Sequence, residues 1–171
     1  AKRNIESHYD LGNDFYELFL GEDMAYSSGL WLRIDDDLDT AQRNKLTRVI
    51  EQISPAKSVL EIGCGWGSFL RYAQKNNMKY KGLTLSPAQL EYCEGKITQE
   101  SGVVLQDYRD ETEKFDAIVS IEMIEAVGEK YWPSYFNTLK KALKPGGKCL
   151  IQAIVIADQY WKAYRKGTDY I

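Results

Sequence analysis

The spacing of apolar positions changes near Ser54. Before it, Phe15, Leu18 and Phe19, and later Leu46, Val49, Ile50 and Ile53, recur at intervals of three and four. That is the period of a helix with one buried face. After it, short unbroken apolar runs alternate with helical patterns. Val59 to Ile62 predicts a strand, and Gly67 to Asn77 a helix turning Phe69, Leu70 and Ala73 inward. Tyr80 to Leu85 predicts a second strand. Ser86-x-x-Gln89 then reads as a capping box, with Pro87 at the first helical position. Val103 to Leu105 and Phe115 to Ile121 give strands three and four. Trp132, Phe136, Leu139 and Leu143 form one face of a helix stopped by Lys144-Pro145-Gly146-Gly147, and Cys149 to Ile156 gives strand five. Uniformly apolar strands separated by helices predict a parallel sheet covered on both faces, and right-handed crossovers make it doubly wound. The expectation is an α/β core over residues 54–171 behind a helical cap over residues 1–53.

Composition narrows the function classes. The 171 residues are 44% hydrophobic and 27% charged, with 22 Lys+Arg against 25 Asp+Glu and a net charge of -3. A global basic field for nucleic acid is absent, so no nucleic-acid partner is expected. No apolar stretch approaches the ~20 residues of a membrane span, and the first ten residues hold no apolar signal core. A cytoplasmic protein follows, and the 3 cysteines agree with a reducing compartment. His8 is the single histidine, so multi-histidine metal sites are excluded and acid-base chemistry falls to carboxylates, Tyr or an external ion. Asp35, Asp36, Asp37 and Asp39 invite a calcium reading. Thr40 stands where that loop needs Gly, and Leu46 where it needs Glu, so helix capping explains the run better and no metal is expected.

The strongest chemical signal is Val59-Leu60-Glu61-Ile62-Gly63-Cys64-Gly65-Trp66-Gly67, a strand running through three glycines into a helix. In open α/β sheets ligands bind beyond the strand C-termini, and glycines let the backbone approach a ligand closely. The dinucleotide pattern G-x-G-x-x-G needs a glycine where Ser68 stands, and no Walker lysine follows. A cofactor without a bridging phosphate fits this turn better than NAD.

E-I-G-C-G-W-G, followed by Gly82-Leu83-Thr84-Leu85-Ser86 and Gln89, resembles the S-adenosylmethionine-dependent cyclopropane-fatty-acyl-phospholipid synthase family. The resemblance covers most of the chain. Tyr9 to Tyr16 is similar to that family's lead-in, Tyr26-Ser27-Ser28-Gly29 to its Y-S-C-G segment, and Ala41-Gln42 with Lys45-Leu46 to its A-Q-x-x-K-L helix. Asp107 to Asp110, Ile118 to Met123 and Glu125 to Gly128 follow in family order. The resemblance implies a Rossmann-like class I methyltransferase core and transfer of a methyl group to a cis double bond of a phospholipid acyl chain. A cyclopropane or a methyl(ene)-branched chain would result. It places Gly63, Gly65 and Gly67 against the methionine half of S-adenosylmethionine, with Tyr26 and Ser27 closing over it. Thr84, Leu85 and Gln89 take the ribose and adenine side, and Asp107 and Tyr108 flank the adenine. Gln89 also has a simpler reading as the capping-box partner, and Tyr108 as a cover for the sheet edge.

The chemical end implied by the resemblance comprises Glu125, Gln152, Ser28 and the backbone N–H of Ile154, grouped around a bicarbonate ion that serves as general base. Gln152 interrupts an apolar run and needs a partner. Glu125 lies just past strand four, so the two side chains are expected side by side, either at the site or as a plain inter-strand hydrogen bond. The chain departs from the family where Ser28 replaces Cys, Ala126 replaces His and Gln152 replaces His. The family continues past Tyr170-Ile171, so the sequence reads as truncated, with strands missing at its C-terminal end and weak activity expected. A peripheral position at the inner membrane face and a homodimer of the full-length form are further expectations. Methylation of a small-molecule amine and a non-catalytic nucleotide-binding module remain as alternatives, with an NAD-dependent dehydrogenase a distant fourth.

Overall fold

The computed structural model describes residues 12–96, 102–165 and 167. His8, Tyr9 to Leu11 of the lead-in, and Tyr170-Ile171 lie outside the described residues. A short helix α1 (Asn13–Glu17) precedes α2 (Leu38–Ile53). The core then runs β1 (Ser58–Ile62), α3 (Ser68–Lys75), β2 (Lys79–Thr84), α4 (Pro87–Lys96), β3 (Val103–Leu105) and β4 (Phe115–Ile121). It continues through α5 (Trp132–Ala142), β5 (Leu143–Gln152) and α6 (Asp158–Tyr164). The five strands form one sheet in the order β3-β2-β1-β4-β5, every neighbouring pair parallel. Strand order reverses between β1 and β4, which opens a crevice beyond their C-terminal ends.

Period-two alternation along β1 separates the two faces of the core. Val59 packs with Leu46, Val49, Phe69 and Leu70 on one side, and Leu60 and Ile62 with Tyr135 and Leu139 on the other. All five residues of β1 are buried, as a central strand requires. The buried face of α2 shares its core with the sheet, although α2 lies inside the stretch set apart as a cap. Asp37 caps α2, its carboxylate accepting from the Thr40 N–H at 2.7 Å, so the acidic run begins a helix.

Several expected elements shift. In α1 the inward residue is Tyr16, with Leu20 just beyond; Phe15, Leu18 and Phe19 are exposed. The buried stripe of α5 is Tyr135, Leu139 and Ala142, while Phe136 faces outward. Strand β5 starts at Leu143 rather than Cys149, because Leu143 already pairs with Phe115 and an irregularity absorbs the Lys144–Gly147 turn. It ends at Gln152, opposite Ile121 where β4 itself ends, so Ile154, Val155 and Ile156 leave the sheet and are exposed. Only half of the capping box forms: Ser86 Oγ accepts from the Gln89 N–H at 3.3 Å, but the Gln89 side chain turns to Thr84.

Candidate functional site

A cavity of about 530 Å³ opens over the C-terminal ends of β1, β2 and β4. The chain leaves β1 through Gly63 at φ +77°, Gly65 at φ +55° and Gly67 at φ +79°, the last serving as N-cap of α3. The Gly63 and Cys64 N–H groups both donate to Leu83 O at 3.0 Å, which ties the turn to β2. A Cβ at Gly63 would stand 2.9 Å from Met123 Cγ, whereas one at Gly65 would meet nothing within 4 Å. Gly65 therefore lends the cavity a stretch of bare backbone.

Nine residues assigned from sequence to the cofactor line this cavity: Tyr26, Ser27, Gly63, Gly65, Thr84, Leu85, Gln89, Asp107 and Tyr108. Gly67 does not, since its work is to start α3. Thr84 and Gln89 bond each other, hydroxyl to amide oxygen, at 2.6 Å, and both are buried. Asp107 accepts from its neighbour Arg109 through both N–H and guanidinium. That guanidinium holds the Asp107 carboxyl below the usual carboxylate range.

The Tyr26–Ser27 segment is held from α2. Gln42 Nε2 donates to Ser27 O at 2.7 Å and Lys45 Nζ to Ser27 Oγ at 2.6 Å. Both side chains are buried on the apolar face of α2, and Lys45 reaches the cavity. Burial lowers the Lys45 pKa to about 8, against the pull of Glu122, Glu61 and Asp23. Opposite it, Glu61 sits in β1 and accepts from the Tyr80 hydroxyl. Its complete burial raises its pKa to about 8, opposed by the Tyr80 bond and by Lys45. Cys64 and Cys93 are buried and their thiols pushed up by desolvation, Cys93 to about 12, so they pack rather than react.

At the β4/β5 rim the arrangement differs from the expected one. Gln152 does not meet Glu125. Its amide donates to Glu122 Oε1 at 2.9 Å and to Ser28 O at 3.1 Å. The Ser28 N–H also donates to Glu122 Oε1, at 2.9 Å. Glu125 instead accepts from the Ile154 N–H, and its Oε2 is buried without a partner among the described residues. The pairing changes because Gln152 lies directly opposite Ile121, and the Glu122 N–H donates to Gln152 O at 2.8 Å. Glu125 stands one short helical turn further on. Of these residues Glu122 lines the cavity, while Ser28, Glu125, Gln152 and Ile154 do not. Glu122 holds φ +48°, a left-handed backbone in a non-glycine residue, which costs roughly 1–2 kcal/mol.

Four functional candidates escaped the sequence reading. Gln42 and Lys45 carried a signal, being polar residues within a buried helical stripe. Glu61 carried one too, as a carboxylate inside an apolar strand. Glu122 lies within the family-order segment Ile118 to Met123, but nothing local marks its role, because its partners lie 94 and 30 residues away.

The whole chain, residues 1–171, matches the family described as Mycolic acid cyclopropane synthetase. Among curated relatives, the tuberculostearic acid methyltransferase UfaA1 of Mycobacterium tuberculosis is 35% identical, over 100% of this chain and 43% of its own length. The cyclopropane-fatty-acyl-phospholipid synthase of Escherichia coli is 40% identical over 87% of this chain and 40% of its own. The chain thus spans about two-fifths of the length of these relatives. A crystal structure of the mycolic acid cyclopropane synthase CmaA1, complexed with SAH and CTAB, superposes with a TM-score of 0.80 at 30% identity, covering 88% of this chain and 55% of the other.

Proposed function

The chain belongs to the Mycolic acid cyclopropane synthetase family, and from that membership we propose that it performs S-adenosylmethionine-dependent alkylation of a cis double bond in an unsaturated phospholipid acyl chain. Bound S-adenosylmethionine supplies an electrophilic methyl: the alkene π pair forms the new carbon–carbon bond, the sulfur–methyl pair stays on sulfur, and an adjacent carbon is left cationic. Loss of one proton then closes a cyclopropane or leaves a methylene branch. The chain's own work is to hold the cofactor, keep water from the cation and accept that proton.

The observation that carries this reading is the bare backbone at Gly65, opening on a cavity with the Thr84–Gln89 pair on one side and Glu122 on another. The residues present fit S-adenosylmethionine. Gly63 and Gly65 would lie along its methionine half, Thr84, Leu85 and Gln89 along the ribose and adenine, and Asp107 and Tyr108 beside the adenine. Tyr26 and Ser27 would cover it. A cation formed over a carboxylate-lined cavity is stabilised most where water is excluded.

The substrate would be met at the inner membrane face, by a homodimer in the full-length protein. No helix among the described residues is long and apolar enough to cross a membrane. Leu32 and Ile34 stand fully or largely exposed on the loop before α2, and they suit contact with a lipid surface. Calorimetric titration of S-adenosylhomocysteine, with NADH as control, tests the cofactor assignment. Transfer of a labelled methyl from S-adenosylmethionine to unsaturated phospholipid vesicles tests the reaction. Saturable binding of the first and labelling of acyl carbon are expected, and labelling of an amine instead would overturn the lipid reading.

A further inference from the structure

The general base implied by the family resemblance was an added bicarbonate held by Glu125, Gln152 and the Ile154 N–H. These residues do not fit it. The Gln152 amide is bonded to Glu122, and the Ile154 N–H to Glu125. An added anion would find these two donors taken.

We infer that Glu122 is this chain's own base, its carboxylate standing in the place of an exogenous bicarbonate. Three observations lead there. Glu122 lines the cavity at the β4/β5 rim, whereas Glu125 and Gln152 do not. Its two donors, the Ser28 N–H and the Gln152 amide, both fall on Oε1, and no described donor meets Oε2. One oxygen is thereby anchored and the other left without a described donor on a residue that lines the cavity, the arrangement of an oriented proton acceptor. Finally, the backbone is held at φ +48°, a conformation kept only where the surroundings impose it. Gln152 is then a positioning residue: it replaces an anion ligand with an amide that aims a carboxylate. The inference rests on the alkylation chemistry proposed above. In that reaction the proton lost from the transferred methyl passes to Glu122 Oε2, and its C–H pair closes the ring or forms the methylene branch.

The test compares wild type, Glu122→Gln and Glu122→Gly, the last suited to the left-handed backbone. Labelled methyl transfer to dioleoylphosphatidylglycerol vesicles is measured in carbonate-free buffer, then with bicarbonate restored. Wild-type turnover is expected to be indifferent to bicarbonate. Glu122→Gln should lower kcat by roughly 10²-fold or more, as loss of a general base does, with S-adenosylhomocysteine affinity unchanged. Glu122→Gly should recover turnover on adding bicarbonate, a rescue that a merely structural role would not give. Dependence of the wild type on bicarbonate, or an active Glu122→Gln, overturns the inference. If the wild type labels no lipid, the proposed reaction fails, and NMR of ¹³C-bicarbonate still decides the base. Broadening by Glu122→Gly alone supports Glu122 as the occupant of the anion's place; equal broadening by the wild type overturns it.

Discussion

The cavity has two ends built on different principles. At the β1/β2 end the wall is mainly backbone: a turn at Gly63 and Gly65, tied to Leu83 O and followed at once by α3. At the β4/β5 end the wall is side chains, and their partners come from far apart: Ser28 to Glu122 spans 94 residues, and Ser28 to Gln152 spans 124. A backbone site is fixed by local conformation and tolerates little beyond glycine. A side-chain site can exchange its members while keeping its place, as is proposed for Gln152 and Glu122. In the proposed function the contrast separates binding from chemistry, with the first assigned to the turn and the second to the rim.

Gly65→Val tests the backbone end most directly. A β-branched residue at φ +55° is strained, and its side chain fills the open space. S-adenosylhomocysteine affinity should fall about 100-fold or more, since strain and filled volume together exceed 2.7 kcal/mol. Calorimetry showing a loss below tenfold would mean that the turn is not the cofactor cradle.

Gln152→Leu probes the other end. It removes a charge-assisted hydrogen bond from Glu122, an interaction worth about 1.5–3 kcal/mol, so kcat should fall at least about tenfold. Cofactor affinity should stay within about twofold if the two ends are separable. A parallel loss of affinity in the same titration would join them.

Glu61 lies between the two ends, and its effect is read through pH. Burial raises its pKa from 4.5 to about 8, so between those values the folded state holds a proton that the unfolded chain has released. Stability from this group is fully present below pH 4.5 and is lost as pH rises toward 8. Lys45 has the opposite sign: its pKa is lowered from 10.5 to about 8, so its term recovers stability between 8 and 10.5. Glu61→Gln should flatten the decline, and thermal melts from pH 5 to 8 should show wild type losing stability relative to the variant. A constant difference across that range would place the Glu61 proton elsewhere.

The smallest effect is expected from Gln42→Ala, which frees the Tyr26–Ser27 segment by removing a bond to Ser27 O. Loss of one neutral hydrogen bond is worth about 1 kcal/mol, so cofactor affinity should drop about fivefold. No change on titration would show that Lys45 alone holds the segment.

How far the sequence was legible follows the same division. The alternation of apolar runs and helical stripes sufficed for the parallel strands, and the glycine turn was read in place because strand, turn and helix are contiguous. The misread segments were those whose inward face depends on what they pack against. Phe136 and Tyr135 both fit a helical stripe, and only contact with Leu60, Ile62 and Ile118 selects Tyr135. Phe15 and Tyr16 present the same ambiguity, resolved by the Trp66 ring 4.7 Å from Tyr16. The end of β5 was misplaced because an apolar run continues through Ile156, while a strand stops where its neighbour does.

The α/β architecture, the order of its elements and the place of the bare backbone follow from residues near one another in the chain: period, glycine and cap. That Gln152 meets Glu122 rather than Glu125 comes from the assembled fold. That pairing follows from the register of β5 on β4 and from a loop before α2 reaching across to both. Register and docking are settled by contacts summed over the whole core, and no short stretch of sequence carries them.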